Sequence, residues 1–289
     1  MFATTVDIIL NSLVLGGIFV IMGVGLNIIY GLNRVMNLAH GALYTLGAYF
    51  GYTVVSLGGN YFLAVLIAPI AVGLVGLVIE RVLITPMRKR NMIYTLILTY
   101  GLMFVIDGLV KFFWGNETRF IHLPEFMQGA VSLGPASYPV FRLVILIGIA
   151  AVVAALMLLL GRTRLGINMR AASEIPEMVS ACGVNVRGVQ VSGFVLGCML
   201  AGTAGILAGP LFTVFPIMGH DMLISSFVVV VIGGLGSLRG AVIAALLIGF
   251  VQTLAEFFIT ELAMVIVYML MALILVFKPL GILGEGKFE

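Results

Sequence analysis

Residues 162–188 read RTRLGINMRAASEIPEMVSACGVNVRG, and residues 189–209 read VQVSGFVLGCMLAGTAGILAG. The first run is polar and basic and interrupts long apolar stretches, so it lies in water at one face of a bilayer. The second run is apolar again, and in it Gly193, Gly197, Ala201, Gly205 and Gly209 recur every fourth residue. On a helix that spacing keeps them near one face, with only slow drift around it. Small residues on one face let a second helix approach backbone to backbone, which is how membrane helices associate when lipid removes the hydrophobic drive between them. The two runs together predict a central packing helix with a folded loop at its foot.

The composition extends this reading to the whole chain. Hydrophobic residues make up 62% and charged residues 9%, against about 45–50% and 25% in soluble domains. This is a polytopic membrane protein. Its 289 residues leave room for about eight to ten spans of roughly 20 residues each, and so for one transmembrane domain over residues 1–289 with little left for a soluble one. Because backbone polar groups must be satisfied within each segment in lipid, the expected fold is all-α: a helix bundle of about eight to nine transmembrane helices. A net charge of +3 gives no reason to expect nucleic acid as a partner. Cys182 and Cys198 stand 16 residues apart, one in the polar loop and one in an apolar run, which suggests neither a metal site nor a disulfide. Met1 to Asp7 contains no basic residue, so the first apolar run lacks the charged start of a signal peptide and is expected to be a retained helix.

Apolar segments fall at 8–30, 35–57, 61–85, 92–114, 140–161, 189–215, 222–238, 240–258 and 263–278. Placing the 162–188 loop in the cytoplasm and alternating outward puts 12 of the 15 Lys and Arg residues inside and leaves only Lys111, Arg119 and Arg142 outside, as the positive-inside rule requires. With nine spans the N-terminus is external and the C-terminus cytoplasmic. Segment 222–238 is short and ends in Gly233-Gly234-Leu235-Gly236-Ser237, so it reads either as a span or as a broken, re-entrant helix buried in protein.

The polar loop is expected to carry a short helix of its own. Ser173 can cap its start, Pro176 sits in the first turn where a missing N–H costs nothing, and Gly183 is placed to end it in a left-handed cap. Ile175, Met178, Val179 and Cys182 form an apolar stripe on it. Such a stripe outside the bilayer is covered either by the lipid surface or by another protein.

The run Gly166-Ile167-Asn168-Met169-Arg170-Ala171-Ala172-Ser173, then Pro176, then Gly183-Val184-Asn185-Val186, then Phe194 and Leu200-Ala201-Gly202-Thr203-Ala204-Gly205 resembles the cytoplasmic loop of ABC-importer permeases of the branched-chain amino-acid (Liv-type) family. Tyr30-Gly31 with Met36-Asn37-Leu38-Ala39-His40-Gly41 and Gly47-Ala48-Tyr49, and Ile232-Gly233-Gly234-Leu235-Gly236-Ser237 with Gly240-Ala241, are similar to the same family. The order and spacing match over nearly the whole chain; Leu38 and Val179-Ser180 depart from the residues common there. The resemblance implies a permease subunit of an ATP-driven importer for branched-chain or related small amino acids, working by alternating access in a bacterial inner membrane. It implies a coupling helix, with Arg170, Ala171, Ala172, Ser173, Glu174, Pro176, Glu177 and Gly183 docking on an ATPase, and a glycine-ladder helix that tilts the gate. The implied partners are a homologous second permease, two ATP-binding cassette subunits and a periplasmic binding protein. ATP and magnesium belong to the ATPases, and this chain binds no cofactor.

On the residues themselves, Asn37 and His40 fall within one turn of each other at the start of the second span, next to Gly41. Polar residues in the membrane either line a path or bond neighbouring helices. Gly233, Gly234, Gly236 and Ser237 either offer broken-helix backbone to a substrate or pack closely. Asp107 and Lys111 are expected to pair at a spacing of four, Glu80 and Arg81 to reach the inner surface, and Gln252 and Glu256 to share one face of the eighth span, as the remaining candidates for a polar path. Gly281-Ile282-Leu283-Gly284-Glu285-Gly286-Lys287 has P-loop spacing, but Phe288 stands where Ser or Thr must hold the metal. The chain is therefore not expected to hydrolyse ATP, and its three scattered histidines suggest no enzyme and no metal site. The alternative from another class is an ion-coupled secondary transporter or channel, which needs ionisable groups deep in the spans.

Overall fold

Helix length sets the architecture. In the computed structural model, which describes residues 2–88, 90–133 and 136–284, α1 (Phe2–Asn33) is followed by α2 (His40–Ser56) and α3 (Tyr61–Ile79). A π-helical turn (Glu80–Ile84) carries α3 into α4 (Thr85–Met87). Then come α5 (Met92–Trp114), a small hairpin of β1 (Ala130–Leu133) and β2 (Ala136–Pro139), α6 (Val140–Arg162), α7 (Arg164–Glu174), α8 (Pro176–Ala181), α9 (Val186–Phe212), α10 (Gly219–Gly233), α11 (Leu238–Phe258) and α12 (Ala263–Phe277). Among the described residues, seven helices are long and apolar enough to cross a membrane. α10 is apolar but shorter, at 15 residues, and α2 has 17; at 1.5 Å per residue they run about 23 and 26 Å, short of the roughly 30 Å of hydrocarbon.

Helix starts are written locally. Asn60, Asn91, Thr163, Asn185 and Ser237 each accept a backbone N–H from the first turn of the helix they precede, satisfying donors that have no partner inside the helix. The apolar run 222–238 is not helical to its end. The helix ends at Gly233, and the glycine run forms a turn, with Gly234 at φ +100° and Gly236 at +89°, a region where only glycine is unstrained. The loop helix is corrected. It is two helices, because Pro176 cannot extend α7 and keeps Ile175 out of the helical conformation, at φ −134° and ψ 76°. Ser173 caps neither of them; it lies in the last turn of α7 and its hydroxyl donates to the Arg170 carbonyl at 2.7 Å. Gly183 takes the expected left-handed conformation, φ +80°.

α9 runs through the middle of the bundle with α1, α2 and α3 packed on it. The ladder residues face several elements. A Cβ on Gly193 would lie 2.1 Å from Leu32, one on Gly197 2.5 Å from Ile29, one on Gly205 2.0 Å from the Tyr44 carbonyl oxygen, and one on Gly209 2.6 Å from Ile121; Ala201 is fully buried. α1 and α9 run antiparallel, since Gly25 meets Gly197 while Leu32 meets Gly193. Around this crossing the chain repeats a pattern in inverted direction. Each of these long helices ends at a residue of positive φ, Arg34 (+55°) and Thr213 (+61°), the two non-glycine residues so placed among those described. Each is followed by a short turn, a short helix (α2, α10) and a longer one (α3, α11). α3 packs on α9 and α11 on α1, and the short helices meet where Gly41 abuts the Gly219 backbone.

Candidate functional site

At the end of the bundle away from the basic loop, a cavity of about 890 Å³ opens between α1, α6, α9, α10 and α11. Its polar lining includes Asp7, Asn11, Arg142, Asp221, Ser225 and Glu256, and its apolar walls include Leu15, Phe19, Leu211 and Phe215. Arg142 and Tyr138 both donate to Asn11 Oδ1, which fixes that rim. Gln252 Nε2 donates to Glu256 Oε1 at 2.9 Å, so these two do share a face, and it is the cavity face. Asp221 lies in the first turn of α10, where the positive end of the helix favours a carboxylate. Tyr44 closes the cavity from α2. It is completely buried, and its hydroxyl has no hydrogen-bond partner among the described residues. Carboxylates beside aromatic and aliphatic walls suit a small molecule that has an ammonium group and an apolar body, and the volume falls within the roughly 300–1,000 Å³ of small-molecule sites.

Of the residues singled out from sequence, Gln252 and Glu256 line this cavity; the Asn37–Gly41 and Gly233–Ser237 groups form two separate sites, and neither lines it. Asn37 lies just before α2 rather than in it, with Oδ1 accepting the Ala39 N–H at 3.1 Å. His40 is buried against α1, with Nε2 3.2 Å from the Met22 carbonyl oxygen. Gly41 packs on Gly219; a Cβ there would be 2.2 Å from the Gly219 oxygen. Gly233, Gly234, Gly236 and Ser237 form the turn at the basic end. Asn27 of α1 holds that turn by donating to the Ser237 carbonyl at 2.8 Å and accepting the Gly236 N–H at 2.6 Å.

At the basic end the loop helices project. Arg170, Ala171, Glu174, Pro176, Glu177 and Gly183 are exposed, Ala172 is buried and Ser173 half-buried. Ile175 and Met178 stay 49% and 63% exposed, with nothing packed over them in this chain. The Arg34 guanidinium reaches the Ser173 carbonyl at 3.4 Å and ties the loop to the end of α1. Beneath lies a buried polar cluster. Glu80 does not reach the surface as expected: it is fully buried and held by Arg88 and Thr85. Arg88 also donates to Asn33 and Gln190, and Gln190 donates to the Leu32 carbonyl, so α1, α3 and α9 are fastened together. Asp107 likewise pairs with His220 of α10, Oδ2 to Nε2 at 2.7 Å, and not with Lys111. Lys89 and residues 285–289, including the last part of the P-loop-like run, lie outside the described residues.

Sequence reading missed Asn27, Tyr44, Arg88 and Asp221. Asn27 was detectable by the rule that flagged Asn37, a polar residue within an apolar run, and Asp221 as an acid two residues past Gly219, at a helix start. Tyr44 carries no local signal.

An all-helical membrane bundle with a polar-and-apolar cavity at one end and projecting helices at the other defines a multi-pass membrane transport scaffold. The family described as "Branched-chain amino acid transport system / permease component" matches residues 8–275, and the chain belongs to it. It is similar to the high-affinity branched-chain amino acid transport system permease protein LivH of Escherichia coli K12, 29% identical over 96% of this chain and 95% of LivH. It is also similar to the permease protein LivM of the same organism, described in the same words, 26% identical over 92% of this chain and 68% of LivM. Among solved structures, PsaBC from Streptococcus pneumoniae in complex with Fab aligns with TM-score 0.53 and 14% identity over 96% of this chain and 95% of that one. That likeness bears on the fold alone.

Proposed function

We propose that this chain is the permease subunit of an ATP-driven importer for branched-chain or related small amino acids, that residues 1–289 act as one transmembrane domain, and that the subunit is not itself an enzyme. The observation that carries this reading is the exposure of Ile175 and Met178 on helices that project from the basic end. Apolar side chains held out of the membrane need a protein cover. The basic end faces the cytoplasm of a bacterial inner membrane by the positive-inside rule, so the cover is a cytoplasmic ATPase docking on Arg170, Ala171, Ala172, Ser173, Glu174, Pro176, Glu177 and Gly183. Two such ATPases bind ATP and magnesium, while this chain binds no cofactor. The resemblance to both LivH and LivM of one organism supports pairing with a homologous second permease. A periplasmic binding protein delivers substrate to the cavity at the other end, where Asp221 and Glu256 meet its ammonium group.

Alternating access follows from the way the parts are joined. Motion of α7 and α8 reaches α1 through Arg34 and α9 directly through the chain. The ladder from Gly193 to Gly209 then passes the shift to its neighbours, through the side chains of Leu32, Ile29 and Ile121 seated on Gly193, Gly197 and Gly209 and through the α2 backbone at Gly205. The Asn37–His40–Gly41 group and the Gly233–Ser237 turn act as joints of the path. The test is uptake of labelled leucine by cells that express the chain with its partner permease, ATPases and binding protein. Uptake should vanish with an ATPase-dead set, and Glu177→Lys should leave the complex assembled but uncoupled. Uptake that persists with dead ATPases overturns the importer reading in favour of ion coupling.

A further inference from the structure

A second hollow, of about 880 Å³, lies at the basic end between α3 and α9. Its mouth carries Arg81 and Arg187, both exposed and neither engaged in a hydrogen bond or ion pair among the described residues. The walls below are apolar: Leu77 on α3, and Val191, Val195 and Met199 on α9. Arg187 and Met199 are 12 residues apart on one helix, which at 1.5 Å per residue is about 18 Å. Half the hydrocarbon thickness is about 15 Å. The hollow is therefore an apolar trough one leaflet deep, with two cations at headgroup level.

The neighbouring face of α3 decides what can enter. Leu74, Val78 and Val82 are 60–63% exposed, and in a membrane span such a face meets lipid. The trough thus opens sideways to the bilayer. Asn185 spends Oδ1 on capping α9, and its Nδ2 makes no hydrogen bond among the described residues, which gives the mouth a further donor. Guanidinium groups at the cytoplasmic surface attract anionic headgroups, and basic pockets between membrane helices bind them.

We propose that this trough binds one anionic phospholipid, its phosphate between Arg81 and Arg187 and an acyl chain along α9 toward Met199. The site stands independently of the transported solute, apart from facing the cytoplasmic leaflet. Leu165, in the first turn of α7, also lines the trough. The bound lipid therefore touches the loop that this structure projects toward the cytoplasm, and leaflet composition can bias its position.

The test is native mass spectrometry and thermal unfolding of the purified full-length chain in neutral detergent, titrated with phosphatidylglycerol, with phosphatidylcholine or with inorganic phosphate. Phosphatidylglycerol alone should stabilise the protein and be retained as a single adduct. Each Arg→Gln change at 81 or 187 should weaken retention about five-fold and the pair about 25-fold, whereas Arg81→Lys/Arg187→Lys should retain most of it and Arg239→Gln, outside the trough, all of it. Equal stabilisation by phosphatidylcholine overturns the proposal, as does wild-type retention in the double Gln variant. Inorganic phosphate matching phosphatidylglycerol also overturns it, since that would make the mouth a simple anion site with no role for the trough.

Discussion

Gly205→Ala isolates one close backbone approach in the bundle, that of α2 to α9. The added Cβ would sit 2.0 Å from the Tyr44 carbonyl oxygen and 3.0 Å from the Ala48 nitrogen. Both are backbone atoms, so no side chain can rotate away. To bring the first contact to even 3.0 Å, the shortest that real Cβ atoms show, α2 and α9 must separate by about 1 Å. That separation would loosen every contact along their shared face, including Gly47 against Gly202. Overpacking of this kind costs about 1–3 kcal/mol, which at roughly 2–4 °C per kcal/mol for a protein of this size lowers Tm by about 2–12 °C. Gly101→Ala is the control. Gly101 lies in the middle of α5 with nothing within 4 Å of its would-be Cβ, so alanine there brings only its better helix propensity, about 1 kcal/mol. Thermal unfolding of the two purified variants should place Gly205→Ala below wild type and Gly101→Ala at or above it. Equal Tm values would refute the claim that Gly205 is in backbone contact with α2 and leave its small size a coincidence of composition.

Three more outcomes follow from polar groups that lie buried in the bundle or line the cavity. Arg88→Met leaves Glu80 buried and uncompensated, so it should destabilise by about 3–5 kcal/mol, and adding Glu80→Gln should restore much of the loss; chemical unfolding of the single and double variants checks this. Asn27→Ala removes both bonds that hold the Gly236 turn, at about 1–3 kcal/mol for the groups left unpaired, and hydrogen exchange should rise at residues 234–238. Asp221→Asn and Tyr44→Phe should both leave the complex assembled. The first should raise the apparent KM for uptake and the second should change it little, because the phenol has no partner to lose.

What the sequence makes legible is what local chemistry controls. Apolar length marks the spans, and the small-residue period of α9 appears because it needs only one helix to be seen. The loop's division into α7 and α8 was readable at Pro176 in principle, but Ser173 three residues earlier suggested a cap there; α8 starts with no side-chain cap, and it is Thr163 that caps α7. The polar pairings were not legible. Asp107 and His220 are separated by 113 positions, and Glu80 shares Arg88 with residues from two other helices. Polarity in the sequence says that a group needs a partner; it does not say which helix brings it. For the same reason Asn37 and His40 announced themselves as polar groups in the membrane, while the cavity was assembled from residues of seven separate helices.

The contact between Gly41 and Gly219 has an electrical consequence. Both glycines sit at the start of their helices, Gly41 second in α2 and Gly219 first in α10, so two helix N-termini converge inside the bundle. Each carries about half an elementary positive charge from its aligned peptide dipoles, in surroundings that screen it poorly. The acids at that crossing, Asp221 in the first turn of α10 and Asp107 paired with His220, are placed to offset it. Two helix dipoles and two carboxylates thus face one another at a single crossing, so that neutralising either acid leaves more of the field of the N-termini uncompensated.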